Sequence, residues 1–421
     1  MRFKFLDLFA VFTFSFLPIT SLSVIDADYL PVSGLMIFLP GLILVTCYVR
    51  KMPKDVLTIL LALLYFVLIT VLHDFRVLPT LEFLREFAPI AVGVGSYCFF
   101  RFAINRRNFT ALVKTLLIVN AIILFYGLIE IASIIGLLPM EIKRSFSLFL
   151  TGSAVSRLQL VFPEASWAGM YLVFVFPFVL FFQDYLKKTT LVVMGALFLA
   201  TFSIYAYIVF AFGSVGYCIC LYWRTTRIYK WLLGFVVVAP AVMVFIPFLA
   251  QTFEESGLYG YQYTRIANLF SLASIEALVT LDGSFFIRLM YPIYGAIIGA
   301  DSIFGVGFAD YGSVFNSMLS DMPYGEAALS FAEVRGDVLT VTADPRAFFI
   351  SFLAFGGFPG LLFLAFVMIF SIRGMNKIGD SKMRKFSTLL FIYCFFMCFQ
   401  FGSMAFFYIW FSLAIPHCLR D

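Results

Sequence analysis

Apolar residues occur along this chain in long runs separated by short polar breaks. Many of the runs contain about 20 residues, the length at which an apolar helix crosses a bilayer. The pattern predicts twelve spans, at 5–24, 30–49, 55–72, 80–100, 110–136, 166–183, 189–203, 205–222, 231–250, 347–372, 386–401 and 403–418. The seventh and eighth spans and the last two are short, so tilted or partly re-entrant hairpins are an alternative for them. We predict an all-α polytopic membrane protein, with residues 1–421 forming a single integral membrane domain.

The composition excludes a soluble globular domain. Hydrophobic residues make up 62% of the chain and charged residues only 13%, whereas soluble domains carry about 25% charged residues. The seven cysteines lie in or beside apolar runs, which indicates packing and not a disulfide framework or a thiolate metal site. We expect neither a metal nor a cofactor.

The basic residues predict the orientation in the membrane. The predicted loops on one side hold 20 of the 29 lysines and arginines, and such loops face the cytoplasm. Both termini are therefore expected in the cytoplasm of a multi-pass protein. The outer cations are Arg76, Arg85, Lys143, Arg144, Arg157, Arg265, Arg288, Arg335 and Arg346. The planar fork of arginine suits phosphate, although pairing with nearby acids would explain any one of them.

The longest polar stretch, residues 251–346, is predicted to be an external loop. It holds eleven acidic residues, four arginines and no lysine. Its segment 285–300 is apolar except for Arg288, which predicts a short helix in the interface or re-entering the protein. Gly305 and Gly307 follow, and they either bring backbone N–H groups to an anion or serve as ordinary turn residues.

A second external loop is predicted at 137–165, directly before the sixth span. Pro163 breaks the chain there, and Ser166 is placed to cap the helix that follows. Glu164 would lie at the outer mouth of that helix. Within the fifth span, Glu130 is an intramembrane acid, which makes it either a functional residue or a buried partner of a neighbouring span.

Three motifs occur in order along the chain. Arg157 is followed by Phe162-Pro-Glu164-Ala-Ser166 and Gly169-Met-Tyr171-Leu; Arg288 precedes Ile303-Phe-Gly-Val-Gly-Phe308; and the tenth span opens with Phe348-Phe-Ile-Ser-Phe-Leu-Ala-Phe-Gly-Gly-Phe-Pro-Gly-Leu. Together they resemble the O-antigen polymerase and O-antigen ligase group of bacterial membrane glycosyltransferases. The resemblance is best over about 150–375.

That resemblance implies a multi-span, GT-C-like glycosyltransferase in the bacterial inner membrane, with its active site facing the periplasm. The donor would be a glycan on undecaprenyl pyrophosphate, and neither a metal nor a nucleotide sugar would be needed. A polymerase transfers that glycan to another lipid-linked repeat unit, and a ligase transfers it to the lipid A core. Expected partners are these lipid-linked oligosaccharides, membrane lipids and a chain-length regulator protein, and no nucleic acid.

The sequence departs from the family pattern at two places. The usual Glu-Pro-Ser order is replaced by Pro163-Glu164-Ala165-Ser166. Ligases carry a histidine near the start of the span after the long loop, where this chain has Asp344-Pro-Arg346. The missing histidine favours a polymerase over a ligase.

Site roles follow from the resemblance together with the chemistry of transfer from a pyrophosphate. The leaving group gains negative charge, which fixed guanidinium groups stabilise, and an inverting transfer needs a base near the acceptor hydroxyl. We expect Arg288 to be catalytic, with Glu164 as the base and Asp344 as its reserve; a structural ion pair with Arg157 would equally explain Glu164. The expected substrate-binding residues are Arg157, Arg265, Arg346, Ser166 and Tyr291.

Two other classes of membrane protein compete with this interpretation. A transporter or lipid-glycan flippase would be expected to show two related halves, and no internal repeat is visible in the sequence. A membrane-bound acyltransferase would be expected to carry a histidine within a span. The sugars, their linkage, and the choice between O-antigen, capsule and another polysaccharide are left open.

Overall fold

The computed structural model of the chain describes residues 8–9, 11, 13, 40–47, 52–73, 81–151, 157–162, 164–184, 186–222, 283–325, 333–335, 338–340, 345–400 and 402–420. Residues 40–47 are helical. The helices after them are α1 (Lys54–His73), α2 (Leu81–Ala103), α3 (Arg106–Ile134), α4 (Met140–Thr151), α5 (Ala165–Phe182), α6 (Lys187–Ala200), α7 (Ile204–Tyr222), α8 (Gly283–Asp301), α9 (Tyr311–Met318), α10 (Phe348–Asn376), α11 (Ser381–Met397) and α12 (Phe407–Cys418).

The described helices are those of a membrane-embedded protein. Five of them are long and apolar enough to cross a bilayer: α1, α3, α5, α10 and residues Ile204–Leu221 of α7. Helices also coincide with the spans predicted near 80–100, 189–203, 386–401 and 403–418, with ends shifted by a few residues. The predicted span at 231–250 lies outside the described residues.

The two predicted external loops contain more regular structure than the sequence pattern indicated. The 137–165 segment includes the twelve-residue helix α4. The 251–346 segment includes α8, α9, a 3-10 turn at Leu319–Asp321 and a small antiparallel hairpin. In the hairpin, β1 (Glu333–Arg335) pairs with β2 (Val338–Thr340). Apart from this hairpin of two three-residue strands, the described elements are helical, as the all-α fold class predicts.

Helices α5 and α12 form the centre of the described bundle. Both are apolar around most of their circumference, as expected for helices that are covered on every side. Phe174 of α5 stacks on Tyr408 of α12 with ring centroids 4.2 Å apart, and it meets Phe411 edge-on at 5.8 Å. The N-terminal end of α5, which carries Ser166 and is preceded by Glu164, therefore belongs to a helix that is packed firmly in the bundle.

Helix α10 is kinked at Gly357, where φ is 60° and ψ is −155°. Pro359 has no N–H with which to bind the carbonyl of Phe355. Residues 302–308, hereafter the glycine strip, fill the break. Val306 N donates to Ala354 O at 3.0 Å, Gly307 N donates to Phe355 O at 3.1 Å, and Phe358 N donates to Ile303 O at 3.0 Å. The strip thus satisfies the backbone groups that the kink leaves unpaired.

Two glycines allow α8 to lie directly against α10. A Cβ at Gly299 would lie 2.8 Å from the carbonyl carbon of Leu353, and one at Gly295 would lie 2.7 Å from Ile350 Cγ2. The two glycines are four residues apart, so they share one face of α8. The long loop is therefore held to α10 at two places that follow Arg288 in the chain: α8 packs on α10 through its glycines, and the glycine strip binds to the kink.

At the other end of the bundle, polar side chains join α1, α2 and α12. Asp55 Oδ2 accepts a hydrogen bond from Tyr97 Oη at 2.7 Å and one from Arg101 Nε at 2.9 Å. His417 Nε2 lies 4.0 Å from the same oxygen. Both ring nitrogens of His417 are buried and make no hydrogen bond. The cluster connects the beginning of one helix with the ends of two others.

Candidate active site

Arg288, Glu164 and Ser166 meet at one point, although the sequence places them in different loops. Arg288 Nη2 lies 3.4 Å from Glu164 Oε2 and 3.3 Å from Ser166 Oγ. Ser166 Oγ donates to Glu164 Oε2 at 2.8 Å. The side chain of Glu164 is 57% exposed and that of Arg288 is 24% exposed. The result is a solvent-accessible carboxylate beside a partly enclosed guanidinium group.

The start of α5 determines where the two second-loop residues point. Glu164 is the N-cap residue, with extended backbone at φ −133° and ψ 148°, and its side chain makes no capping bond. Ser166 lies inside the first turn, so the prediction that Ser166 caps this helix is wrong. The positive end of the helix dipole favours a carboxylate here. The Glu164 side chain is held by Ser166 and Arg288 instead of by the helix backbone.

Tyr205, near the start of α7, supports Arg288 from a third segment. The guanidinium carbon of Arg288 lies 4.6 Å from the centre of the Tyr205 ring. Such cation–π contacts hold a guanidinium plane against the ring face and leave its edge available for anions. The sequence analysis missed Tyr205. Its only signal is a tyrosine at the outer end of a predicted span.

Glu130 and Lys143 fix the backbone that leads to Glu164. Glu130 Oε1 accepts from Gln159 N at 3.0 Å, and Oε2 accepts from Leu160 N at 2.8 Å. Lys143 Nζ lies 3.5 Å from Glu130 Oε1 and donates to the carbonyl of Arg157 at 2.7 Å.

This arrangement answers the question that the sequence left open for Glu130. The side chain is fully buried, and its partners are the backbone of the second loop and Lys143. One alternative for Glu130 was a buried partner of a neighbouring span. Glu130 is buried, but it pairs with the second loop instead. Because Arg157, Gln159 and Leu160 are all held by this pair, the pair positions the chain that enters the active site.

Tyr291 is part of the protein core. It is 2% exposed, and its ring lies 5.1 Å from that of Phe315 and 6.2 Å from that of Tyr294. A ring so enclosed has no free face for a sugar. The prediction that Tyr291 binds substrate is therefore wrong for this structure, and its role is to pack α8 against α9.

The remaining predicted site residues are Arg346, Arg157, Asp344 and Arg265. Arg346 lies just before α10 in a left-handed backbone conformation, with φ at 54°. Its neighbour Pro345 packs at Gly295 of α8, so Arg346 lies near the helix that carries Arg288. Arg157 is half-buried and is held through its carbonyl by Lys143. Asp344 and Arg265 lie outside the described residues.

The glycine strip does not form an anion cradle. The N–H groups of Val306 and Gly307 bind α10, and the N–H of Phe308 donates to Thr70 Oγ1 at 3.1 Å. The alternative of a structural role is thus the correct one. Over the part of the chain that the structure describes, no group of three or more His, Cys, Asp or Glu side chains could hold a metal ion.

The sequence matches no protein-family model, and no curated protein matches it. The resemblance to the O-antigen polymerase and ligase group is therefore carried by the motifs and their order alone.

Proposed function

We propose that this chain is a polysaccharide polymerase of the O-antigen type. It would transfer a growing glycan from undecaprenyl pyrophosphate to a lipid-linked repeat unit at the periplasmic face of the bacterial inner membrane. The observation that carries the proposal is the contact of Arg288 with Glu164 and Ser166. These residues come from the two loops that the basic-residue pattern assigns to the same outer side.

The proposal includes the finer topology predicted from sequence. The chain would have about twelve spans in a GT-C-like arrangement, with both termini cytoplasmic. In this orientation α5 and α8 present the Arg288–Glu164 pair at the outer surface. A donor anchored in the membrane by its polyprenyl chain would place its diphosphate at that level.

In the proposed reaction, a hydroxyl oxygen of the acceptor sugar attacks the anomeric carbon of the donor glycan. The bond from that carbon to the diphosphate oxygen breaks, and its electron pair remains on the diphosphate. Arg288 stabilises the charge that develops there. Glu164 takes the proton of the attacking hydroxyl. The products are a lengthened lipid-linked glycan and undecaprenyl pyrophosphate.

The resting contact between Arg288 and Glu164 fits this division of roles. At 3.4 Å the two charges are paired but not tightly hydrogen-bonded. A diphosphate carries more negative charge than one carboxylate, so it competes effectively for the guanidinium group. Binding of the donor would then release Glu164 toward the acceptor, while Tyr205 keeps Arg288 in place.

The decisive experiment reconstitutes the purified protein in vesicles with lipid-linked repeat units extracted from the bacterium that encodes it. A polymerase should produce a ladder of glycan lengths together with free undecaprenyl pyrophosphate. Movement of the labelled lipid across the vesicle membrane without new glycosidic bonds would identify a flippase instead. Transfer only to added lipid A core would identify a ligase.

A further inference from the structure

Helix α4 buries two polar side chains and exposes several large apolar ones. Lys143 and Ser147, one turn apart, are 2% and 0% exposed. Lys143 pairs with Glu130 of α3, and Ser147 Oγ lies 3.4 Å from Tyr126 Oη of the same helix. Both of these buried polar side chains are therefore in contact with α3.

In the second half of α4, three large apolar side chains are uncovered. Phe149 is 79% exposed, Phe146 52% and Leu148 46%. A helix of a soluble domain shows the reverse arrangement, with its apolar stripe facing the core. The reversal indicates that the surroundings of these three side chains are apolar.

The contacts between α4 and α3 give the direction of α4. Lys143 pairs with Glu130, and Ser147, four residues later, meets Tyr126, four residues earlier. The two helices are thus antiparallel. In the orientation predicted from the basic residues, α3 runs toward the outer surface. Antiparallel α4 then runs back from that surface toward the membrane interior, by about 1.5 Å per residue.

The distribution of charged residues along α4 agrees with this direction. The exposed Glu141 and Arg144 lie in its first half, and the exposed aromatic residues Phe146 and Phe149 lie in its second half. The apolar face also continues that of α3, where Ile122 is 63% exposed and Phe125 is 66% exposed. Both faces meet the same medium.

We propose that α4 is a re-entrant helix of the outer leaflet, with Phe146, Leu148 and Phe149 in contact with lipid acyl chains. The segment 137–165 is then not a loop in the periplasm over its whole length. Its first half lies in the membrane, and its second half, from Arg157, returns to the surface that carries Glu164. This inference rests on the orientation included in the proposed function, and not on the enzymatic activity.

Tryptophan fluorescence in vesicles tests the proposal. Phe149→Trp and Leu148→Trp each add a reporter at an exposed position, and the emission of the wild-type protein is subtracted. Lipids brominated on their acyl chains should quench both reporters by about half, and aqueous iodide should have little effect. The matched control Glu141→Trp, on the same helix, should show the opposite preference.

The proposal is overturned if iodide quenches the reporters at 148 and 149 as strongly as the reporter at 141 while brominated lipid leaves them unchanged. The two positions provide independent readings, so poor expression of one variant does not prevent the test. Helical circular dichroism and elution as a single species verify that each variant is folded before it is measured.

Discussion

The guanidinium group of Arg288 lies 3.4 Å from the carboxylate of Glu164, although 124 positions separate the two residues in the chain. The contact depends on two separate supports. Glu164 begins α5 in the centre of the bundle, whereas Arg288 belongs to α8, which lies on α10 through Gly295 and Gly299.

Replacing Arg288 should abolish most polymerisation. Loss of a group that stabilises the leaving diphosphate costs about 2–4 kcal/mol of barrier, or roughly 30- to 1000-fold in rate. Arg288→Lys should also be impaired, because lysine lacks the planar fork and stacks poorly on Tyr205. Rates of glycan elongation in vesicles measure the effect. Arg144→Ala, on exposed α4, is the control, and equal losses in both variants would contradict a specific role for Arg288.

Glu164→Gln should lower the elongation rate by roughly 100-fold or more, since a general base contributes about 10²–10⁴-fold. Glutamine retains the size of the side chain and one acceptor for Ser166, so donor binding should persist. Binding of the lipid-linked donor and its turnover are measured separately. Ser166→Ala should reduce the rate far less. A Glu164→Gln variant with wild-type turnover would remove Glu164 from the reaction.

Tyr205→Leu should reduce elongation by about 2- to 30-fold, the range that corresponds to a cation–π contact of roughly 0.5–2 kcal/mol. Tyr205→Phe keeps the ring and should remain near the wild-type rate. The comparison is made at saturating donor and acceptor, so that the measurement reports the chemical step. A Tyr205→Phe variant as defective as Tyr205→Leu would show that the aromatic ring is not the important feature.

Glu130→Ala and Lys143→Met should each destabilise the fold by about 3–5 kcal/mol, because each leaves a buried charge without its counter-charge. Glu130→Ala also leaves the N–H groups of Gln159 and Leu160 without their acceptor. The double variant should lose less than the sum of the single losses. Unfolding in detergent provides the comparison, with Glu141→Ala as a surface control. Strictly additive losses would mean that the two side chains do not interact.

Gly357→Ala should destabilise the protein by about 3 kcal/mol or more, because alanine rarely adopts this backbone conformation and its Cβ would overlap the carbonyl oxygen of Ile303. Gly195→Ala is the matched control, since it lies within α6 with nothing close to the added methyl group. That change should be neutral or stabilise by up to about 1 kcal/mol. The midpoints of thermal unfolding of the two variants are compared. Equal midpoints would exclude the strain predicted for alanine at position 357.

The sequence predicted most of the described helices, because a bilayer demands long apolar segments and leaves a strong periodic signal. It also predicted Arg288, Glu164 and Ser166 as site residues, and the structure brings these three together. The catalytic roles of Arg288 and Glu164 and the substrate-binding role of Ser166 remain predictions. The charged positions were informative because ionisable groups are scarce in such a chain.

Features set by tertiary contacts were not visible in the sequence. The inward-facing Lys143 of α4 has the same local pattern as a loop lysine until Glu130 is placed beside it. Tyr291 lies in an apolar segment beside Arg288, and only the packing of α8 on α9 shows that its ring is covered. The glycines of the strip suited an anion site as well as a turn. Their neighbours on α10 decide between the two.

The glycine strip has a consequence for how substrates are accommodated. It forms hydrogen bonds with Ala354 and Phe355 before Gly357 and with Phe358 after it. These bonds stabilise the angle of the kink from both sides. Changing the angle of α10 would break these bonds. Under the proposed function, a lipid-linked donor would therefore meet a frame of fixed shape, and its accommodation would be left to the side chains of Arg288 and Glu164.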